Sequence, residues 1–206
     1  MSNLQNSKRR TQAERSGKTR MKVCEATLDA LVEVGYERIS TPLIAEKANV
    51  SRGALTHHFP RRNDLLLAAH LHLIDGWRKS FPFDQVGLDK KMGIEELVAA
   101  LWKNIFSEER YAAAMELMLA ARQDNELGHA LRETLAAWLD ERDQIVMKLT
   151  ESEDLDDAVL FAQLNLAVLP GIAMHQSFER GEDRTAELLS LWKTVAKDAF
   201  NKMKAE

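Results

Sequence analysis

The sequence predicts an all-α fold of about nine helices. Only 4 prolines and 9 glycines interrupt its 206 residues, so long helices are allowed. Apolar side chains recur at the three- and four-residue spacing of a helix along most of the chain. No segment sustains the alternation of apolar and polar residues that is typical of a β-strand. We therefore expect helices from near the amino terminus to near the carboxyl terminus.

The first helix is expected from about residue 17 to residue 34, with Gly35 ending it. After two short helices, a fourth is expected over about residues 63–80, and the Phe81-Pro82 pair breaks the chain there. The segment from that pair to Gly93 reads as a loop. Five further helices are expected over about residues 94–106, 108–122, 124–150, 155–179 and 184–203.

The segment from Ile39 to Leu65 predicts two short helices joined by a tight turn. Thr41 is a suitable N-cap for the first of them, and Pro42 fits the first helical position, where its missing N–H costs nothing. Asn49 can take a left-handed conformation and end this helix. Ser51 is then expected to cap a second helix that begins at the next residue.

The second short helix should present a polar face to a partner. Leu55 and Phe59 are four residues apart and should fix the helix to the core. The outward-facing residues are Arg52, Gly53, Ala54, Thr56, His57 and His58. A helix of this kind after a tight turn is the recognition helix of a helix-turn-helix, which enters the major groove of DNA. Arg52 suits a bidentate pair with guanine, and Gly53 and Ala54 let the backbone approach base edges.

These residues resemble the TetR (tetracycline-repressor) family of transcriptional regulators, most strongly from about residue 10 to residue 69. The residues that carry the resemblance are Gly35-Tyr36, Thr41, Ile44-Ala45, Ala48, Val50-Ser51, Gly53, Leu55, His58-Phe59 and Asp64-Leu65. The resemblance implies base contacts mainly from Arg52, Gly53 and Ala54. It implies a DNA-contacting set completed by Thr41, Pro42, Thr56, His57, His58 and Arg62. Thr56 stands where the family usually has Tyr, and Arg62 where it usually has Lys.

Charge is unevenly distributed along the chain. Residues 1–65 hold 12 basic and 7 acidic side chains, a net +5, whereas the remainder holds 16 basic and 25 acidic ones, a net −9. A basic head on an acidic body suits a protein whose head alone meets nucleic acid. We expect a flexible basic arm over residues 1–16, a DNA-binding domain over 17–62, and a ligand-binding and dimerisation domain over 63–206.

The last two helices are predicted to form a homodimer interface. The first of them is apolar nearly all round, as expected for a helix buried on two sides. The candidate interface residues are Val168, Gly171, His175, Leu188, Leu191, Trp192, Val195 and Ala199. Packing inside one chain is the alternative for some of them. Pro170 should kink its helix, which either improves packing or opens space for a ligand.

The body should also hold a small-molecule effector, as the resemblance implies. The candidate lining residues are Trp77, Trp102, Phe106, Met115, Met118, Arg122, Phe161, Asn165 and His175. Among the polar ones, Arg122, Asn165 and His175 interrupt apolar faces. A lining of this kind favours an apolar or amphipathic molecule.

Other classes of protein find little support. No metal-ligand spacing, glycine-rich phosphate loop or nucleophile motif is present, so neither catalysis nor a cofactor is expected. The single Cys24 allows no internal disulfide, no apolar run reaches the ~18 residues of a membrane helix, and the polar amino terminus is not a signal peptide. We expect a cytoplasmic homodimer, more a repressor than an activator, that binds a palindromic operator and is released by an effector. A nucleoid-type binder with little sequence preference is the alternative, and an enzyme with an unusual site is a weaker one.

Overall fold

The computed structural model describes residues 12–85, 91–150, 154–178 and 181–203. Within those residues the chain forms nine α-helices and no strand, which confirms the predicted all-α class. The helices are α1 (Gln12–Arg38), α2 (Thr41–Lys47), α3 (Arg52–His58), α4 (Arg62–Arg78), α5 (Ile94–Leu101), α6 (Glu109–Ala120), α7 (Asn125–Thr150), α8 (Leu155–Phe178) and α9 (Thr185–Met203). A π-helical turn, Trp102–Phe106, continues α5, and a 3₁₀ turn, Phe83–Gln85, follows α4.

Helices α1 to α3 form the head of the molecule. Helix α1 begins at Gln12, so residues 12–16, which the sequence assigned to a flexible arm, form its first turns. Residues 1–11 of that arm lie outside the described residues. The backbone turns at Gly35 (φ 74°, ψ 170°), as predicted, although helical hydrogen bonding resumes as far as Arg38. A residue other than glycine is strained at this φ, so the end of α1 depends on Gly35.

The short helices of the head begin and end nearly as predicted, with one correction. Ser40, not Thr41, caps α2, and its hydroxyl accepts a hydrogen bond from the backbone N–H of Leu43. The prediction was one residue late because both hydroxyl residues can cap a helix and only the backbone decides between them. Asn49 has a left-handed backbone conformation (φ 52°), and the Ser51 hydroxyl caps α3 by accepting a hydrogen bond from the N–H of Ala54. Both features were predicted from the sequence.

Helices α4 to α9 form the body. Helix α4 packs against α1, α6 and α7, so it joins head and body. Helix α1 also packs along α6, and α8 lies between α7 and α9. The buried apolar residues of head and body form one continuous core. Residues 86–90 of the predicted loop lie outside the described residues. Met92, near the end of that loop, donates its backbone N–H to the carbonyl oxygen of Leu149.

Helix α8 contains the most apolar long segment of the described residues that could be compared with a membrane helix. Its segment Asp156–His175 is long and apolar enough to cross a membrane by length and composition, with a mean hydropathy of 1.5. Gln163 and Asn165 interrupt it, so it contains no uninterrupted apolar run of about 18 residues. In the structure this helix packs against α7 and α9, and Ala158, Phe161 and Leu169 are fully or almost fully buried.

Candidate nucleic-acid interface and internal cavity

The outer face of α3 is the first candidate site. Leu55 and Phe59 are buried and fix the helix to the head, as predicted. On the opposite side the exposed residues are Arg52, Gly53, Thr56 and His57, and the half-buried residues are Ala54 and His58. Thr41 at the start of α2 is half-buried, whereas Pro42 and Arg62 are exposed. The structure therefore brings the predicted DNA-contacting residues to the surface of one small head.

Arg20 of α1 holds the end of α3 in place. Its Nη1 donates to the carbonyl oxygen of His58 at 3.1 Å, and its guanidinium lies 4.4 Å from the ring centre of Phe59. A cation near a helix C-terminus and over an aromatic face is favourable on both counts. This role of Arg20 was not predicted from the sequence.

Electrostatic conditions on α3 favour a neutral His58. Partial desolvation lowers the pKa of His58, and the neighbouring His57 and Arg20 lower it further. The two histidine rings lie 5.5 Å apart, edge to face. Neutral imidazole nitrogens can donate or accept one hydrogen bond each, which suits contacts with phosphate oxygens or with water.

Arg62 and Arg52 differ in what they contact. Arg62 donates from Nη2 to the carbonyl oxygen of Tyr36 at 2.7 Å and lies 4.2 Å from the ring centre of Tyr36. Arg52 makes no hydrogen bond or ion pair with the part of the chain that the structure describes. Its guanidinium is therefore available to an external partner, whereas Arg62 also supports the end of α1.

A cavity of about 490 Å³ lies inside the body, enclosed by side chains from α4, the α5 region, α6, α7 and α8. Six of the nine predicted lining residues border it: Trp77, Phe106, Met115, Met118, Phe161 and Asn165. The structure places Trp102, Arg122 and His175 outside the lining. Arg122 and His175 are exposed, and Trp102 is half-buried against the core. Pro170 and Gly171 border the cavity, which is consistent with the interpretation that Pro170 opens space for a ligand.

Sequence analysis missed Arg142, which borders the cavity and is only 5% exposed. Its Nε and Nη2 both donate to Oδ1 of the buried Asp143, at 2.8 and 2.5 Å. Its Nη1 is buried without a hydrogen-bond partner. The missed signal was helical spacing, because Arg142 lies four residues after Trp138 and four before Val146 on the apolar face of α7.

Helix α6 connects the cavity with the head. Tyr111, Met115 and Met118 border the cavity, and Glu116 of the same helix accepts a hydrogen bond from the backbone N–H of Tyr36 at 2.8 Å. That acceptor lies at the turn made by Gly35, where a Cβ would come within 3.2 Å of the Glu116 carboxylate. A displacement of α6 would therefore reach the end of α1 directly.

A stripe of exposed apolar residues runs along the outside of the body. On α8 it consists of Leu160, Leu164, Ala167, Gly171 and Met174, and on α9 of Leu188, Leu191 and Val195. We refer to these eight residues as the apolar seam. Of the predicted interface residues, Trp192 lies inside its own chain, where Nε1 donates to Oδ1 of Asn165 at 3.0 Å. Val168 and Ala199 are half-buried, and His175 is exposed beside the seam.

The residues described by the structure hold no group of three or more His, Cys, Asp or Glu side chains that could ligate a metal ion. The outer face of α3 and the cavity are the two candidate sites, and α4 and α6 pack against the head and also border the cavity.

Comparison with known proteins identifies the head. The family model described as bacterial regulatory proteins, tetR family, matches residues 23–69. The regulator CymR of Pseudomonas putida is 26% identical over 204 residues, which cover 96% of this chain and 98% of CymR. An uncharacterized HTH-type transcriptional regulator of Mycobacterium tuberculosis is 29% identical over 129 residues, which cover 63% of this chain and 66%, just under two thirds, of that protein.

The solved structures agree on the whole fold. The fatty acid degradation regulator FadR of Bacillus halodurans superposes with a TM-score of 0.64 at 16% identity, covering 94% of this chain and 96% of that one. An exposed recognition helix on a three-helix head defines a helix-turn-helix DNA-binding protein. Residues 23–69 therefore carry the DNA-binding domain of the TetR family, and the chain as a whole is similar to HTH-type transcriptional regulators, in agreement with the family that the sequence predicted.

Proposed function

We propose that this protein is a cytoplasmic, homodimeric repressor that binds a palindromic operator and is released by a small molecule held in the body. Residues 17–62 would form the DNA-binding domain and residues 63–206 the ligand-binding and dimerisation domain. The observation that carries the proposal is the double role of α6, which borders the cavity with Met115 and contacts the head with Glu116. A ligand that binds one position of α6 better than another would shift the head by that difference in affinity.

DNA recognition is assigned to the exposed face of α3. Arg52 would read guanine in the major groove, and Gly53 and Ala54 would allow close approach to base edges. Thr41, Pro42, Thr56, His57, His58 and Arg62 would meet the sugar-phosphate backbone. The exposure of Arg52 and its lack of partners among the described residues support the first assignment. A nucleoid-type binder would need no such base-reading side chain.

Dimerisation is assigned to the apolar seam. Its α8 members follow one another at intervals of four, three, four and three residues, the spacing of a helix that packs against another helix. Only 33% of the apolar segment Asp156–His175 is buried within one chain. An apolar helix left so exposed is stabilised by a partner, and a second copy of the chain supplies the same seam by two-fold symmetry. Ala167, Gly171 and Met174 also border the cavity, so the partner would lie beside its rim.

Selection of bound duplexes from a random DNA pool, at fixed physiological salt, tests sequence recognition. An enriched inverted repeat with half-sites about 34–36 Å apart is expected, because two recognition helices must enter successive turns of one face of the duplex. Binding without enrichment would favour the nucleoid-type alternative. No binding by ligand-free protein would contradict both.

Sedimentation of a Leu191→Glu variant tests the seam. Leu191 is 63% exposed in one chain, so a charge there should leave the fold intact and give monomers. Ser190→Glu is the matched control, because the neighbouring position is exposed and faces about 100° away around α9. A Leu191→Glu protein that stays dimeric would show that the subunits meet elsewhere.

A further inference from the structure

The cavity of the body has a chemically simple lining. Aromatic and aliphatic side chains form most of it, including Trp77, Phe83, Phe106 and Trp138. Arg142 is the one charged residue among the described residues that border it. Such a lining can take an apolar body and orient it through a single polar contact. The inference below rests on the proposed function and concerns the chemistry of the effector.

Arg142 has hydrogen-bonding capacity that the protein does not use. A guanidinium carries five N–H groups and stays protonated at any ordinary pH. Nε and Nη2 share one oxygen of Asp143, and Nη1 has no partner although it is buried. Buried donors without partners are rare in native proteins, and each calls for a water, an ion or a ligand.

The other polar groups of the lining are already engaged or neutral. Asn165 donates from Nδ2 to the carbonyl oxygen of Phe161 and accepts at Oδ1 from Trp192. Burial raises the pKa of the Tyr111 hydroxyl to about 12, so this group is a neutral donor at physiological pH. The Tyr111 hydroxyl can still donate or accept a hydrogen bond, and the positive charge offered to a ligand lies at Arg142.

We propose that the effector is an apolar carboxylic acid, bound as its carboxylate with an oxygen accepting from Nη1 of Arg142 and its hydrocarbon portion against the aromatic walls. Asp143 pairs with the guanidinium through Nε and Nη2 and does not border the cavity, so a ligand meets the cation and not the carboxylate. In a space that excludes most water, a charge-assisted hydrogen bond is stronger than a neutral one. A neutral amide of the same shape can accept from Arg142 but lacks the charge.

Isothermal titration of the wild-type protein with matched probes tests the proposal. The probes are decanoate and decanamide, and 1-naphthaleneacetate and 1-naphthaleneacetamide. At least one acid should bind, and its amide should bind about tenfold to a hundredfold more weakly, the range expected for losing a charged hydrogen bond. Equal affinity within both pairs would overturn the proposal, and so would the failure of both acids to bind below about 1 mM.

Two variants locate the selectivity. Arg142→Met alone would leave Asp143 as an unpaired buried charge and destabilise the fold, so the main variant is the double substitution Arg142→Met, Asp143→Leu, which replaces the pair by apolar side chains. The acid-to-amide affinity ratio should fall to about one in the double variant. Arg132→Met is the control, because Arg132 lies exposed on the same helix and outside the cavity.

DNA binding separates this proposal from the function on which it rests. The ligand-free double variant should still select the same duplexes as the wild type, because Arg142 lies on α7 and is not one of the residues assigned to DNA contact. If it does and its acid-to-amide ratio stays at the wild-type value, the carboxylate assignment is wrong and the repressor assignment stands. If wild-type protein without ligand selects no duplex, the proposed function fails independently of any titration with acids.

Discussion

The head and the body each present an arginine without a full set of partners, in opposite surroundings. Arg52 is exposed on α3, and its side chain makes no hydrogen bond or ion pair within the described part of the chain. Arg142 is 5% exposed on α7, and one of its nitrogens is buried without a partner. Water and salt screen the first charge, whereas the second acts in a medium of low dielectric constant.

This difference separates two kinds of recognition in one chain. An exposed arginine costs the free protein nothing and gains its contacts only on a polyanion, where released counterions make affinity depend on salt. A buried arginine is costly in the free protein, so its partners are fixed by the fold and its affinity for a ligand depends little on salt. The same side chain can therefore serve a salt-dependent and a salt-independent site.

The largest expected effect is on stability at the buried arginine. Arg142→Met should lower the free energy of unfolding by about 3–5 kcal/mol, because Asp143 stays behind as an unpaired buried charge. Arg52→Ala should change it by less than about 0.5 kcal/mol, as is usual for an exposed side chain. Urea denaturation followed by circular dichroism measures both. Comparable losses of unfolding free energy in the two variants would show that the buried and the exposed arginine do not differ in their contribution to stability.

Acid stability gives the next largest effect. His70 on α4 is 1% exposed, and desolvation lowers its pKa from 6.5 to about 4. Its folded-state pKa lies below the unfolded value, so the unfolded chain binds the extra proton between these limits. The free energy of unfolding therefore keeps its full value above about pH 6.5. It falls by up to about 3 kcal/mol as the pH is lowered toward 4.

A His70→Met variant should lose less stability than wild type between pH 6.5 and pH 4, since Met has no proton to bind. His57→Gln in the exposed head is the matched control and should follow the wild-type curve. The measurement is the urea midpoint as a function of pH. Parallel curves for wild type and His70→Met would mean that His70 does not control acid stability.

DNA binding distinguishes two arginines of the predicted DNA-contacting set. Arg52→Ala should weaken the selected operator by about 1–3 kcal/mol and relax preference at one base pair. Arg62→Ala should weaken all sequences alike and reduce the salt slope by about one ion, and it also removes the contact with Tyr36. Fluorescence anisotropy over a salt series measures both changes. Unchanged sequence preference in Arg52→Ala would end the base-reading assignment.

The head could be predicted from the sequence more completely than the cavity. Its features depend on neighbours within a few residues: Ser51 caps the helix that follows it, Asn49 ends the one before, and Leu55 with Phe59 defines one face. Such short-range rules are read directly along the chain. The assignment of the α2 cap to Thr41 rather than Ser40 failed by only one residue, within the usual uncertainty of helix ends.

The cavity depends on contacts between residues far apart in the sequence. Aromatic and methionine candidates could be named because apolar side chains of the body must meet somewhere, and five of these six candidates border the cavity. Which polar residue joins them depends on the rotation of each helix. Arg122 and Arg142 each lie four residues after an apolar side chain, but one lies exposed after α6 and the other borders the cavity from α7. Sequence spacing alone does not distinguish them.

The smallest effect concerns the caps of the two short head helices. The Ser51 hydroxyl accepts from the N–H of Ala54 at 3.1 Å, whereas Ser40 accepts from that of Leu43 at 3.4 Å. Ser51→Ala should therefore cost about 1 kcal/mol of stability and Ser40→Ala less, because the longer bond is the weaker one. Urea denaturation again measures both. Since α3 has only seven residues, loss of its cap should also weaken DNA binding at every sequence, which Ser40→Ala should do to a smaller extent. Equal losses in the two variants would indicate that the position of α3 is fixed by Leu55, Phe59 and Arg20 rather than by its cap.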